Sequence, residues 1–258
     1  MASSTKPTIV IIHGGWHVPA SYAKLTDALR RSGYEVHVPR HPSTNGSRPP
    51  NADLATDSAQ ARSYVESLVE AGRTVVALMH SYGGQVGTGA LGGLGLGSRS
   101  ARGLAGGVSL LVYMCAFALP EGRSMVDKVK EFGQEHLMPL AFDFAEDDTC
   151  VHRDPKTLLV GLQGASEAEI DALVDTFVRW NGRGMYQAVS RCAWREIPAA
   201  YIYTSADMTV PLDYQKSMVA TMEAEGLTVK TAEVATGHCP NLTAVKEVVE
   251  AINGFLEG

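Results

Sequence analysis

Residues 75–84 read Val75-Val76-Ala77-Leu78-Met79-His80-Ser81-Tyr82-Gly83-Gly84, an apolar, β-branched run that breaks at a serine followed two residues later by a pair of glycines. The run predicts a buried strand, and the glycines predict a tight passage into a helix. A serine held between the two is a nucleophile candidate, because the sharp turn exposes its hydroxyl at the end of the strand and the helix N-terminus behind it favours developing negative charge. Such a turn stores about 1–3 kcal/mol of backbone strain. Small residues suit the positions two before and two after the serine; Gly83 satisfies this and Met79 does not.

Upstream of this stretch, residues 53–71 carry helical spacing, with Asp53 as cap and Leu54, Ala61, Val65, Leu68 and Val69 on the inward stripe. Residues 8–12 form a first buried strand that runs into His13-Gly14-Gly15-Trp16-His17, where two glycines leave backbone N–H groups uncovered. Residues 19–31 predict a helix and 35–39 a short strand, and the turn formers of 40–50 predict a long surface loop. Downstream, the helix is expected to end near Leu91 and to give way to a flexible Gly-Leu loop up to Gly103, before a strand at 107–114. Strands alternating with helices imply right-handed crossovers and a parallel sheet.

The alternation stops after Phe117. Residues 121–194 hold an apolar-aromatic patch (Phe132, Leu137, Leu140, Phe142, Phe144), a polar loop at Asp147-Asp148-Thr149 and a capping box at Ser166-Glu167-Ala168-Glu169. The sheet pattern resumes at 199–204, with a helix over 212–225, a strand over 228–234 and a last helix over 243–256. We therefore divide the chain into a core (1–117 and 195–258) and an inserted lid (118–194).

Composition narrows the function classes. The 258 residues are 45% hydrophobic and 19% charged with a formal net charge of −6, and no basic stripe calls for nucleic acid. Mild acidity disfavours anionic membranes, and no apolar run approaches the about 20 residues of a spanning helix. The polar start leading straight into residues 8–12 has no signal-peptide pattern, so a cytoplasmic protein is expected. Cys115, Cys150, Cys192 and Cys239 lack metal-ligand spacing; a reduced compartment is the simpler reading, although counting does not separate free thiols from disulfides. His13 and His17 are four apart but lack a third ligand, so no metal or other cofactor is expected. Small-molecule substrates are the expected partners, and a homodimer stays open.

In a parallel sheet, the loops after the strand carboxyl ends share one edge, where ligands bind. Ser81, Asp207 and His238 fall on three such loops, in the order nucleophile, carboxylate, histidine. A serine hydroxyl needs an imidazole to take its proton, and the imidazole needs a carboxylate to fix its tautomer. His13 and His80 read as hydrogen-bonding structure under the site, Asp147, Asp148 and Asp154 as solvated loop residues, and Cys239 as a packed thiol.

With these pieces in place the chain resembles the α/β-hydrolase superfamily, in its short methylesterase and hydroxynitrile lyase-like branch. The resemblance rests on Ile12-His13-Gly14-Gly15-Trp16, His80-Ser81-Tyr82-Gly83-Gly84, Val112-Tyr113-Met114 with Phe117, Asp207 with Val210-Pro211, and Gly237-His238 with Asn241-Leu242-Thr243. It implies an α/β-hydrolase fold, with a mostly parallel sheet of about six strands, helices on both faces and an inserted lid. It also implies Ser81 as nucleophile, His238 as general base and acid, Asp207 as its orienting carboxylate, and the amides of Gly15 and Tyr82 as oxyanion hole. Cys239 and Gly14 stand where the lyases of this branch carry lysine and threonine, which favours ester chemistry. The expected reaction is hydrolysis of a small, fairly apolar ester, thioester or lactone through an acyl-enzyme. Non-hydrolytic use of the same fold, as a small-molecule receptor or as a lyase or cyclase, is the alternative. Trp16, Phe117, Phe142 and Met208 are the expected pocket residues, with Phe132 and Phe144 as further candidates.

Overall fold

Strands rich in Val, Ile and Leu on both faces can exist only where both faces are covered, and the architecture provides this cover. The computed structural model describes residues 6–161 and 163–257. The first half contains β1 (Thr8–Ile12), α1 (Ala23–Arg31), β2 (Val36–His37), α2 (Leu54–Glu70), β3 (Thr74–His80), α3 (Tyr82–Ala90), α4 (Leu96–Ser100) and β4 (Gly107–Met114). An inserted stretch follows with α5 (Met125–Glu131), α6 (Met138–Ala141), β5 (Phe142–Phe144), β6 (Thr149–His152), α7 (Glu167–Val174) and β7 (Trp180–Asn181). The chain then returns with β8 (Ala199–Thr204), α8 (Leu212–Ala224), β9 (Lys230–Val234), α9 (Pro240–Thr243) and α10 (Val245–Glu257).

The main sheet has six parallel strands in the order β2-β1-β3-β4-β8-β9. Period-two alternation sends Ile9, Ile11, Val76 and Leu78 to one face, where Leu25 and Leu29 of α1 and Val248, Ile252 and Phe255 of α10 cover them. Val10, Ile12, Val75, Ala77 and Met79 point to the other, against α2 and α3, with Met218 and Met222 of α8 in the same cluster. Asp53 caps α2 by accepting the Thr56 amide at 3.1 Å, and the box at Ser166 and Glu169 opens α7, both as the sequence predicts.

Two expectations need correction. The 40–50 segment is not merely a surface loop: His41, Ser43 and Thr44 are buried, because buried Asp57 on α2 binds both the amide and the hydroxyl of Ser43. The glycine-rich stretch after α3 is not a free loop, since it forms α4 and Gly95 bridges Val108 beside β4. The last helix, expected over 243–256, is observed as α10, with the short α9 before it. The inserted stretch also builds its own three-stranded antiparallel sheet, β5-β6-β7, from strands of two to four residues. Among the described residues all four cysteines are free and buried, and no helix is long and apolar enough to cross a membrane.

Candidate active site

Ser81 sits between β3 and α3 with φ +55° and ψ −122°, in a backbone region that a non-glycine residue occupies only when its surroundings enforce it. They do so from β4 and the loop after it: Ser81 donates its amide to Met114 O at 3.4 Å, and its carbonyl accepts from Phe117 N at 3.1 Å and Gly84 N at 2.9 Å. The glycines serve close approach. A Cβ on Gly83 would overlap the Ile12 carbonyl oxygen and stand 2.7 Å from its carbon, and one on Gly84 would lie 2.8 Å from Phe117 N. The predicted crowding between Met79 and Gly83 is not what makes the small residue necessary. Met79 is accommodated one helical turn further on, where Gly87 leaves room for its sulfur.

The three distant loops converge. His238 Nε2 lies 2.8 Å from Ser81 Oγ, and His238 Nδ1 lies 2.7 Å from Asp207 Oδ2. Asp207 is fixed in turn by Thr204 Oγ1 at 2.9 Å on Oδ2, and by the amides of Thr209 (2.8 Å) and Val210 (2.7 Å) on Oδ1. With Nδ1–H directed at the carboxylate, the Nε2 lone pair faces the serine hydroxyl, the tautomer a general base requires.

Beneath this triad lies a layer of buried histidines. His80 donates Nε2–H to the His238 carbonyl at 2.7 Å; its Nδ1 accepts from Tyr22 OH at 2.6 Å, and Tyr22 in turn accepts the Gly14 amide at 3.0 Å. One chain of bonds thus joins the backbone of His238 to the Gly14-Gly15 loop. His17 donates Nδ1–H to Gly15 O at 2.8 Å, and its Nε2 faces the Cys239 thiol at 3.6 Å. His13 donates to Gly14 O at 2.8 Å and accepts the His41 amide at 3.0 Å. Burial holds His13, His41 and His80 below the ordinary imidazole range and His17 down to about 3, so these rings are neutral at pH 7.

This has a consequence for stability. The unfolded chain protonates these histidines near pH 6.5 while the folded chain resists, so stability present above pH 6.5 is lost as pH falls toward 3. Each neutral histidine costs up to about 1.4 kcal/mol per pH unit below its unfolded pKa. The melting temperature is expected to fall continuously from pH 7 to pH 4 at constant ionic strength. A flat or rising profile over that range would contradict the assignment.

The Gly14-Gly15 loop lies against Ser81, a Cβ on Gly14 falling 3.2 Å from that of Ser81. The amides of Gly15 and Tyr82 carry no hydrogen bond among the described residues. Tyr82 is anchored through its side chain, whose hydroxyl donates to Asp57 Oδ2 at 2.9 Å. Trp180 Nε1 of β7 donates to Ser43 Oγ at 3.0 Å, joining the inserted sheet to the same carboxylate. Asp57, Ser43 and Trp180 escaped the sequence reading; an aspartate at an inward position of an amphipathic helix was the available signal.

A narrow cavity opens over Ser81, lined by Trp16, Phe117, Met125, Met138, Phe142 and Met185. Trp16, at φ +62°, stacks on Phe142 with centroids 5.4 Å apart and donates Nε1–H to Cys150 O at 3.1 Å. Of the expected pocket residues, Met208 does not line this cavity. It is 62% exposed and lines an adjoining outer pocket, because Asp207 folds the chain back by accepting the amides of residues 209 and 210, turning Met208 outward and Thr209 toward the cavity. Phe132 packs on Tyr214 and Phe144 on Tyr186, away from this cavity.

Among the described residues one group has metal-ligand proximity, His80, Cys115 and His238. It does not fit a metal. His80 Nε2 is committed to the His238 carbonyl and both His238 nitrogens to the triad, while burial pushes the Cys115 thiol well up from its ordinary range. Asp147 and Asp148 form surface pairs with Arg48 and Arg183, as expected of solvated loop residues.

The family model described as "Alpha/beta hydrolase family" matches residues 9–251. The chain belongs to the α/β-hydrolase family. Two curated relatives align along almost the whole chain: "Probable hydrolase R7" of Phoma sp., 28% identical over 96% of this chain and 97% of that protein, and "Alpha/beta hydrolase nvfD" of Aspergillus novofumigatus, 27% identical over 96% and 95%. Solved structures with the same fold include the methylesterase MES16 from Arabidopsis, with TM-score 0.76 and 12% identity over 98% of this chain and 99% of that one. Polyneuridine aldehyde esterase gives TM-score 0.74 and 18% identity over 97% and 99%. The α/β-hydrolase fold anticipated from the motifs, with its six-stranded parallel sheet, is the fold observed.

Proposed function

We propose that this α/β-hydrolase cleaves small, fairly apolar carboxylic esters, thioesters or lactones through an acyl-enzyme on Ser81. The observation that carries this reading is the unbroken chain from Ser81 Oγ through His238 to Asp207, with both bonds at 2.7–2.8 Å, at the floor of an apolar cavity. In the reaction, Ser81 Oγ attacks the carbonyl carbon and its proton passes to His238 Nε2. The carbonyl π electrons move to oxygen, which the Gly15 and Tyr82 amides stabilise; losing one such donor typically costs about 2.7–4 kcal/mol. Collapse expels the alcohol or thiol, protonated by His238. Water then repeats the sequence on the acyl-enzyme, its proton going to His238 and the acid leaving Ser81 free.

Asp207 keeps the imidazole in the productive tautomer and stabilises the imidazolium that forms. The inserted segment, tied to the Gly14-Gly15 loop through Trp16 and to the elbow through Trp180, Ser43 and Asp57, acts as a lid that excludes water and shapes the acyl pocket. The relatives named as hydrolases and the esterase-named structural neighbours support this class of reaction. The test is steady-state turnover of p-nitrophenyl esters of graded acyl length, each with a lactone of matched size. Multiple turnovers on at least the short acyl chains are expected. A single-turnover stoichiometry on every ester would instead favour a ligand-responsive receptor.

A further inference from the structure

His152, at the end of β6, is 8% exposed, and neither of its ring nitrogens has a hydrogen-bond partner among the described residues. A buried imidazole with both nitrogens unsatisfied is costly, and such groups are rare unless something else completes them. Its ring is held in place. Phe142 and His152 pair across β5 and β6, and the imidazole stands edge-on to Trp16 (5.7 Å, 77°) and Phe142 (5.3 Å, 86°), two residues that line the cavity over Ser81.

His152 itself lines the adjoining outer pocket, which shares Val129, Met138, Phe142 and Thr209 with that cavity. Of the other polar side chains there, Tyr214 OH donates to Gln134 Oε1 at 2.6 Å, and Thr209 Oγ1 donates to Leu158 O at 2.8 Å. No Lys, Arg, Asp or Glu lines the pocket, so nothing in it would balance a charged ligand. Burial brings the His152 imidazole down to about 4, and at neutral pH it offers one N–H donor and one lone pair.

We propose that His152 is a specificity-determining residue that hydrogen-bonds a second, uncharged oxygen of the substrate, a ketone or hydroxyl several bonds from the scissile carbonyl, in the outer pocket. This rests on the esterase reading of Ser81 and adds to it the substrate class: esters carrying a second polar oxygen, where the first cavity alone would select only for apolar shape. A site built to bond an oxygen discriminates against the analogue lacking it, because its own polar group is then left unpaired.

The test uses methyl oxoalkanoates with the ketone at successive positions from C4 to C8, each paired with the ester that has CH2 in place of C=O. Dissociation constants are measured by calorimetry in a Ser81→Ala background, so no turnover is needed. At one or more ketone positions the keto ester is expected to bind about tenfold more tightly than its partner. Adding His152→Leu removes that ratio, and adding His152→Gln, which still donates and accepts, retains part of it. Because each ratio is taken within one protein, a general packing defect cancels. A ratio that stays near one at every position, or that survives His152→Leu, overturns the proposal. Turnover of the plain methylene esters by the unmodified protein is read separately; its absence would count against the esterase reading, not against recognition by His152.

Discussion

Ser81→Ala is expected to lower turnover of p-nitrophenyl acetate by about 10⁶-fold, close to the loss seen when a serine triad is dismantled, while the melting temperature stays within a few degrees of the parent. The side chain removed is small, and the backbone bonds that hold the elbow, from Ser81 N to Met114 O and from Phe117 N and Gly84 N to Ser81 O, are untouched. Its only interaction with His238 is the bond at 2.8 Å. Asp207→Asn should fall about 10⁴-fold, because an amide facing Nδ1 favours the tautomer whose Nε2 carries the proton. Turnover of the alanine variant within tenfold of the parent would place the nucleophile elsewhere.

The largest effect on stability is expected at Gly83. An added methyl would overlap the Ile12 carbonyl oxygen and reach 2.8 Å from His13 O. Both atoms belong to the backbone at the end of β1 and the loop leading to Gly15, so no rotamer change can relieve the clash. Gly83→Ala is expected to cost about 3 kcal/mol and to lower the melting temperature by about 6–12 °C. Esterase activity should fall with it, because the movement that makes room displaces the Gly14-Gly15 loop from Ser81. A melting temperature within 1 °C of the parent would show that α3 does not approach β1 this closely. Gly103→Ala is no control here, since that residue has φ +74°. Gly97→Ala is the suitable one: it lies in α4 with open space where the Cβ would go.

What could be read from the chain, and what could not, follows the range of the interactions. β1, β3, β4 and β8 are continuous apolar runs because both faces of the sheet are covered, so their pattern is local. Ser81 and Asp207 were legible because each lies just past such a run, and His238 because it follows the edge strand β9; a parallel sheet brings those strand ends together. The inserted sheet was not legible: β5, β6 and β7 have two to four residues each and pair across loops that carry no hairpin signal. Met208 faces the outer pocket and not the cavity over Ser81, because its direction is set by the turn that Asp207 closes on the amides of Thr209 and Val210. The burial of Ser43 depends on Asp57, a contact fourteen residues away that composition alone does not announce. Gly87 shows the converse. Within a helical pattern a glycine reads as a weakness, yet here it makes room for the sulfur of Met79.

Convergence of three loops on one activated hydroxyl is tested most directly by intact-mass measurement after exposure to a fluorophosphonate at neutral pH, followed by peptide mapping. One phosphonyl adduct per chain, on the peptide containing Ser81 and absent from Ser81→Ala, is the predicted result. An unmodified chain, or an adduct on any other residue, would contradict it.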